Sequence, residues 1–225
     1  MSSNKKTSVW LRLFSIESAV ATGLLLLSAL FFSMIVNVFV VEKRDLLDHQ
    51  ISDFFSRYWS ETHTRIALFV TFFGTGGFLI PAYLIVGIFL WIRKKKKYAI
   101  SAVVIALVSL LLGLFLKEIF RRDRPLPPNF DGAGGYSFPS GHALGGFTFS
   151  GVMIYLVWKS GLSKTLKWIY TLLLSVFALL IAMSRIYLHV HFATDTIGSF
   201  FLALIWLSLS FLCFQFIQEK KQYNG

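Results

Sequence analysis

Long apolar segments, separated by short clusters of charged residues, dominate this chain and constrain its fold more than any other feature. A membrane-spanning helix needs about 20 largely apolar residues. Hydrophobic residues make up 56% of the chain, above the roughly 45–50% that is usual for soluble domains. A soluble fold of this size has too small an interior to bury that surface. We therefore predict an all-α bundle of six transmembrane helices at residues 19–41, 66–92, 98–116, 143–158, 166–183 and 196–217.

The segment between the first two predicted spans has a different pattern. Residues 42–65 mix charged residues with apolar and aromatic ones, among them Phe54, Tyr58 and Trp59. That pattern is typical of an amphipathic helix that lies in the membrane interface. The first apolar run is longer than the core of a signal peptide, so we interpret it as a retained span. Because no internal repeat is visible, we expect residues 1–225 to form a single membrane domain.

The distribution of lysine and arginine predicts the orientation of the spans, because cytoplasmic segments carry an excess of these residues. With a cytoplasmic N-terminus, the N-terminal cations, the run 93–97 and the loop 159–167 all lie in the cytoplasm. Only Glu17 and Glu219 are acidic on that side, so we expect both termini there. This topology explains the net charge of +11, and we therefore expect no nucleic-acid partner.

Three polar segments interrupt the apolar pattern, and the predicted topology puts all of them on the extracytoplasmic side. They are residues 117–125 after the third span, 136–142 before the fourth, and 184–195 between the fifth and sixth. Ionisable groups that converge at a membrane boundary are candidates for function. The candidate site residues are two histidines, one carboxylate, three cations, a serine and a glycine: His142, His191, Asp195, Lys117, Arg124, Arg185, Ser140 and Gly141.

These residue types suit the chemistry of phosphate. Lys117, Arg124 and Arg185 can neutralise a phosphate dianion, and arginine can do so through paired hydrogen bonds. The backbone N–H groups of Ser140 and Gly141 face an anion if a helix begins there. The sequence therefore predicts an anion site made from the three polar segments.

The histidines suggest catalysis beside that site. His191 and Asp195 are four residues apart and share a face if they lie on one helix. A carboxylate bonded to one ring nitrogen fixes the tautomer and makes the other nitrogen a nucleophile or a base. His142 then remains as a candidate acid for the leaving group.

Each feature taken singly has a simpler explanation. The arginines at 121, 122 and 124 are typical of a solvated interfacial cluster, and the serine and glycine at 140 and 141 of a helix cap. A lone histidine near a helix end is more often structural than catalytic, and we keep His189 in that class. A transporter or flippase that binds anions would also need the cations, but it would need neither His142 nor an ordered pair of His191 and Asp195.

In combination, the motifs resemble the three-part signature of the type 2 phosphatidic acid phosphatase (PAP2) superfamily. The six predicted spans resemble the membrane lipid phosphatase branch of that family. Every signature position is filled, in the family's order, by Lys117-x6-Arg124-Pro125, Pro139-Ser140-Gly141-His142 and Ser184-Arg185-x5-His191-x3-Asp195.

The resemblance implies roles for the candidate residues. His191 attacks phosphorus and becomes a phosphohistidine, Asp195 orients it, and His142 protonates the leaving group. The resemblance also implies a reaction without metal or cofactor, and the sequence has neither zinc-ligand spacing nor a carboxylate cluster suited to magnesium. The implied phosphate-binding residues are Lys117, Arg124, Ser140, Gly141 and Arg185.

The implied substrate is a membrane lipid phosphate at the outer face of a cell membrane, and the compact chain resembles bacterial members. Undecaprenyl pyrophosphate, phosphatidylglycerophosphate and phosphatidic acid all carry phosphate at headgroup depth, and the sequence favours no single one of them. Transfer of the phosphate to another lipid, instead of to water, is an alternative within the same family. The sequence makes no prediction of the oligomeric state.

Overall fold

The computed structural model of the protein describes residues 16–125 and 134–224, and these residues fold into α-helices without any β-strand. A π-helical segment, Val36–Val41, continues the first helix. The N-terminal cations Lys5, Lys6 and Arg12 lie outside the described residues. In chain order the helices are α1 Ile16–Ile35, α2 Leu46–Ser56, α3 Glu61–Phe72, α4 Gly76–Ile92, α5 Lys96–Phe120, α6 Gly141–Trp158, α7 Lys164–Tyr187 and α8 Ala193–Asn224.

Four helical segments in the described part of the chain are long and apolar enough to cross a membrane, or five if α3 and α4 form one span. Large apolar side chains cover their outer surfaces; Leu111 and Phe115 on α5, for example, are 62% and 63% exposed. Apolar patches of this extent are rare on soluble monomers. The four segments are Ile16–Val41, Lys96–Phe120, Lys164–Tyr187 and Ala193–Ile217.

The second predicted span, residues 66–92, is broken. It falls on α3 and α4, whose axes differ by 41°. The Thr75 hydroxyl caps α4 by accepting a hydrogen bond from the backbone N–H of Phe78. A side chain at Gly74 would place its Cβ 2.8 Å from Ile181 on α7 and 3.0 Å from the Cβ of His142. The break therefore occurs where a glycine lets α6 and α7 come close to the backbone.

The predicted amphipathic segment, residues 42–65, is also divided. Its first part forms α2, and the Ser60 hydroxyl caps the N-terminus of α3 by accepting from the backbone N–H of His63. A helix between the first two spans is therefore present, but it is shorter than the segment that suggested it. The last five residues of the segment, 61–65, begin α3, the first helix of the bent pair.

Helix α6 occupies the centre of the bundle and packs against α5, α7 and α8. It is the fourth predicted span, and small residues, including Gly146, Ser150 and Gly151, permit this close packing. The hydroxyls of Ser109 on α5 and Thr148 on α6 share a buried hydrogen bond of 2.9 Å. Since α5, α6, α7 and α8 alternate in direction, the ends of α5 and α7 meet the starts of α6 and α8 at one end of the bundle.

Candidate active site

The predicted site residues converge at that end of the bundle. Lys117 lies in the last turn of α5, and Arg185 in the last turn of α7. Ser140 is the residue before α6, and His142 is the second residue of that helix. His142 is within electrostatic range of Arg185, His191, Arg124 and Lys117. Three polar segments that are far apart in sequence thus form one cluster.

His191 and Asp195 form a buried pair, with exposures of 2% and 0%. The ring Nδ1 of His191 is 3.4 Å from Oδ2 of Asp195. Their geometry differs from the expected shared helix face, because α8 begins at Ala193 and His191 lies in the preceding turn. The turn brings the two side chains together because Oδ2 of Asp195 also accepts the backbone N–H of Phe192 at 2.9 Å.

Burial keeps the imidazole of His191 neutral. Burial lowers the pKa of His191 to about 4, although the hydrogen bond and the charge of Asp195 act in the opposite direction. At neutral pH the ring therefore donates through Nδ1 and keeps a lone pair on Nε2. That Nε2 lies 3.3 Å from Nη1 of Arg124, so the free nitrogen faces a cation.

Two buried polar atoms at the start of α6 and the end of α7 lack partners among the described residues: Oγ of Ser140 and Nε of Arg185. Buried polar groups are nearly always hydrogen-bonded, so such atoms call for an explanation. Another nitrogen of the Arg185 guanidinium does have a partner, because Nη1 donates to the Thr71 hydroxyl at 2.7 Å. No described atom lies within 4 Å of a Cβ built on Gly141. Open space and unused donors thus adjoin a helix N-terminus, an arrangement that binds anions.

Lys117 and Arg124 organise the loops around this space. The ammonium group of Lys117 donates to the backbone carbonyls of Tyr136 and Ser137. Nη1 of Arg124 donates to the carbonyl of Val190 at 2.6 Å. Burial also lowers the pKa of Arg124. Because Nε of Arg124 also donates to the carbonyl of Gly135 at 2.9 Å, both cations tie the segment before α6 to the rest of the site.

A second set of residues, which the sequence did not single out, surrounds Asp195. The Arg122 guanidinium donates to Oδ1 of Asp195 at 2.6 Å and to Oδ2 of Asp48 at 2.7 Å. The Ser137 hydroxyl donates to Oδ2 of Asp195. The solvated-cluster explanation holds for Arg121, whose side chain is 66% exposed, but is wrong for Arg122, at 9%. Helical spacing of polar residues at 48, 52 and 56 was the available sequence signal for Asp48.

His189 makes contacts of a structural kind. Its Nε2 lies 3.2 Å from the Ser56 hydroxyl and 3.4 Å from the carbonyl of Ser52, both on α2. Within residues 16–125 and 134–224, no group of three or more His, Cys, Asp or Glu side chains is arranged to hold a metal ion. The metal-free reaction remains a prediction.

The fold and the cluster define a multi-pass helical membrane protein with a group of cations and unused donors beside a buried histidine. The family model of the PAP2 superfamily matches residues 97–219. The chain therefore belongs to the PAP2 superfamily, as its motifs indicated. The match covers α5 to α8, the helices that carry the predicted site residues.

Named relatives and a solved structure extend this result. Phosphatidylglycerophosphatase B of Bacillus subtilis (strain 168) is 33% identical over 157 residues, which cover 69% of this chain and 75% of the relative. Undecaprenyl-diphosphatase BcrC of the same strain is 26% identical over 147 residues, covering 62% and 69%. The crystal structure of a transmembrane PAP2-type phosphatidylglycerolphosphate phosphatase from Bacillus subtilis matches with a TM-score of 0.78 at 26% identity, covering 83% of this chain and 93% of that chain.

Arg185→Lys is expected to weaken the binding of inorganic phosphate. A lysine has no second arm that can keep the Thr71 contact while it donates to the anion, and a lost hydrogen bond to a charged group costs about tenfold or more in affinity. Titration calorimetry of the purified protein in detergent measures this directly. Arg121→Lys, at an exposed position, is the matched control; equal affinity in the two variants would show that Arg185 does not face the anion.

Proposed function

We propose that this protein is a metal-independent phosphatase of membrane lipid phosphates that works through a phosphohistidine intermediate. The observation that carries the proposal is the open space with unused donors at the start of α6, together with the unprotonated ring nitrogen of a buried, neutral histidine. A neutral imidazole with a fixed tautomer is a competent nucleophile. The names of the relatives, which are phosphatases of phosphatidylglycerophosphate and undecaprenyl diphosphate, support the same reaction class.

The proposed reaction has two steps. Nε2 of His191 attacks phosphorus, the bond from phosphorus to the leaving oxygen breaks, and His142 gives that oxygen a proton. Asp195 stabilises the imidazolium that develops on His191. Water then attacks phosphorus and gives a proton to the base left at His142, the bond from phosphorus to Nε2 of His191 breaks, and inorganic phosphate is released.

The phosphate itself is held by donors that converge on its oxygens. Arg185 and Ser140 have unused donors, and the backbone N–H at Gly141 opens a helix N-terminus. Lys117 and Arg124 add positive charge, which stabilises the transition state more strongly in a site with little water. Together these five residues form the proposed phosphate site.

The substrates that we propose are undecaprenyl pyrophosphate, phosphatidylglycerophosphate and phosphatidic acid. An apolar cavity of about 350 Å³ lies between α2, α3 and α7 and is lined in part by Ser184, the residue before Arg185. Such a cavity suits the hydrocarbon chain of a lipid whose headgroup reaches the anion site. Its apolar lining includes Phe54, Phe55, Tyr58, Val70, Leu180 and Met183.

We further propose that six spans hold residues 1–225 in the membrane as one domain. In this topology α6 is the fourth span, α2 lies in the outer interface, both termini are cytoplasmic and the site is extracytoplasmic. The run Arg93–Lys97 and the loop after α6 support it, because these cationic segments lie at the end of the bundle opposite to the site. The exposed apolar side chains Leu46 and Phe54 on α2, 70% and 53% accessible, suit contact with lipid.

Release of inorganic phosphate by the purified protein in detergent and EDTA tests the proposed function. We expect turnover on at least one of the three lipids, and His191→Ala should lower it by about three orders of magnitude or more, as loss of a nucleophile does elsewhere. His142→Ala should retain phosphoenzyme formation only on substrates with a good leaving group. Lipid binding without phosphate release would indicate a transporter, and label recovered in an acceptor lipid would indicate a phosphotransferase.

Leu180→Trp is expected to fill the apolar cavity and raise the KM for a long-chain lipid phosphate about tenfold. The KM for a soluble phosphate ester should change less than about twofold, because the anion site is untouched. Leu179→Trp is the control: Leu179 is 51% exposed on the same helix and does not line the cavity. A similar rise for both variants, or for both substrates, would contradict a chain-binding role.

Thiol labelling in intact cells tests the proposed orientation. In a Cys213→Ala background, Thr62→Cys at the site end of the bundle should react with a membrane-impermeant maleimide. Lys95→Cys, at the opposite end, should react only after the membrane is opened. Both positions are exposed in the structure. Labelling of Lys95→Cys, and not of Thr62→Cys, in intact cells would indicate the opposite orientation in the membrane.

A further inference from the structure

Helix α2 turns its polar side towards the protein and its apolar side outwards. Asp48, Ser52 and Ser56 follow one another at intervals of four residues and so lie on one face of the helix. Asp48 is 0% exposed and Ser52 is 7% exposed, whereas Leu46 is 70% exposed. Burying a carboxylate costs free energy unless the charge is paired. The contacts of Asp48 therefore indicate the role of the polar face of α2.

The polar face of α2 docks on the loop that carries His191. The backbone N–H of Thr194 donates to Oδ1 of Asp48 at 2.9 Å, and the Thr194 hydroxyl donates to Oδ2 of Asp48 at 2.6 Å. Nearer the C-terminus of α2, Ser52 and Ser56 contact Nε2 of His189. Contacts from α2 therefore fall on both sides of His191 along the chain.

Arg122 connects Asp48 to Asp195. One of its guanidinium nitrogens donates to Asp48 at 2.7 Å, and the other donates to Asp195 at 2.6 Å and to the Thr194 hydroxyl at 2.7 Å. Only 9% of the Arg122 side chain is exposed, and neither carboxylate side chain is exposed. One guanidinium thus divides its donors between two buried anions, one on α2 and one in the first turn of α8.

We propose that Asp48 is a positioning residue for the reaction: it holds Arg122 and Thr194, and these fix the Asp195 carboxylate that orients His191. The inference rests on the proposed function. The hydrogen bonds and the ion pair of Asp48 go to Arg122 and Thr194 and not to the proposed phosphate-binding residues, so its influence passes through these partners.

The balance of charges around Asp195 explains why this positioning matters. The Asp195–His191 contact is long, at 3.4 Å, whereas the Asp195–Arg122 contact is short, at 2.6 Å. Without the charge of Asp48, the whole charge of Arg122 is available to Asp195 and draws the carboxylate away from the imidazole. The ring then loses the partner that fixes its tautomer and direction.

Steady-state kinetics of Asp48→Asn on the lipid that the wild type hydrolyses tests the inference. We expect kcat to fall about 10- to 100-fold, as removal of outer partners of a site commonly does. KM should change less than about threefold, because the phosphate site keeps its donors. Asp53→Asn is the matched control, since Asp53 is exposed on the same helix and the substitution removes the same charge. We expect this control to retain the wild-type kcat.

Thr194→Val provides a second, nearly isosteric variant if Asp48→Asn does not fold. It removes the hydroxyl that joins Asp48 to Arg122 and keeps the backbone N–H, and the same selective loss of kcat is expected. In the double variant the two losses should not add, because both substitutions act on one network.

Other outcomes would overturn the inference. A wild-type kcat in both single variants, a rise in KM with kcat unchanged, additive losses, or an equal loss in Asp53→Asn would each show that Asp48 does not act through Asp195. In all of these cases the wild type still releases phosphate and the proposed function stands. If the wild type releases phosphate from none of the lipids, the proposed function fails and this inference fails with it.

Discussion

The buried carboxylate of Asp195 is the point on which the arrangement of the site depends. It is fully buried and receives donors from distant parts of the chain: Arg122 after α5, Ser137 before α6, and His191 and the backbone of Phe192 before α8. A buried charge must be paired. Satisfying this one anion therefore draws the loops at the site end of the bundle together and sets the direction of the imidazole beside them.

The membrane determines where such a charge can exist. The outward surfaces of the helices are apolar, with residues such as Leu111 and Phe115 more than 60% exposed. Ionisable groups are therefore restricted to the helix ends, and the antiparallel order of α5 to α8 brings alternate ends together. The cations, histidines and carboxylate of the site lie together because the apolar middle of the bundle excludes charge and the antiparallel order brings the four helix ends that carry them to one place.

Local sequence patterns predicted some features of the fold and gave no indication of others. The apolar runs located most of the helices because each is long and nearly uninterrupted. The break between α3 and α4 was not predicted, because residues 66–92 form one apolar run. A hydropathy pattern contains no information about a bend, here one of 41°. The role of Arg122 was also missed: beside Arg121 and Arg124 it resembles a solvated cluster, and only the fold shows that it is enclosed between two carboxylates.

The sequence by itself determined the helical class and the family and singled out the signature residues of the candidate site, since these depend on local hydropathy and on fixed spacing within three short motifs. Only the tertiary structure decided which groups those residues contact. Asp48 lies 147 positions before Asp195 in the chain, yet both carboxylates bind the same guanidinium. No local pattern encodes that pairing, because it arises from the docking of α2 on the loop before α8, where burial forces each charge to find a partner.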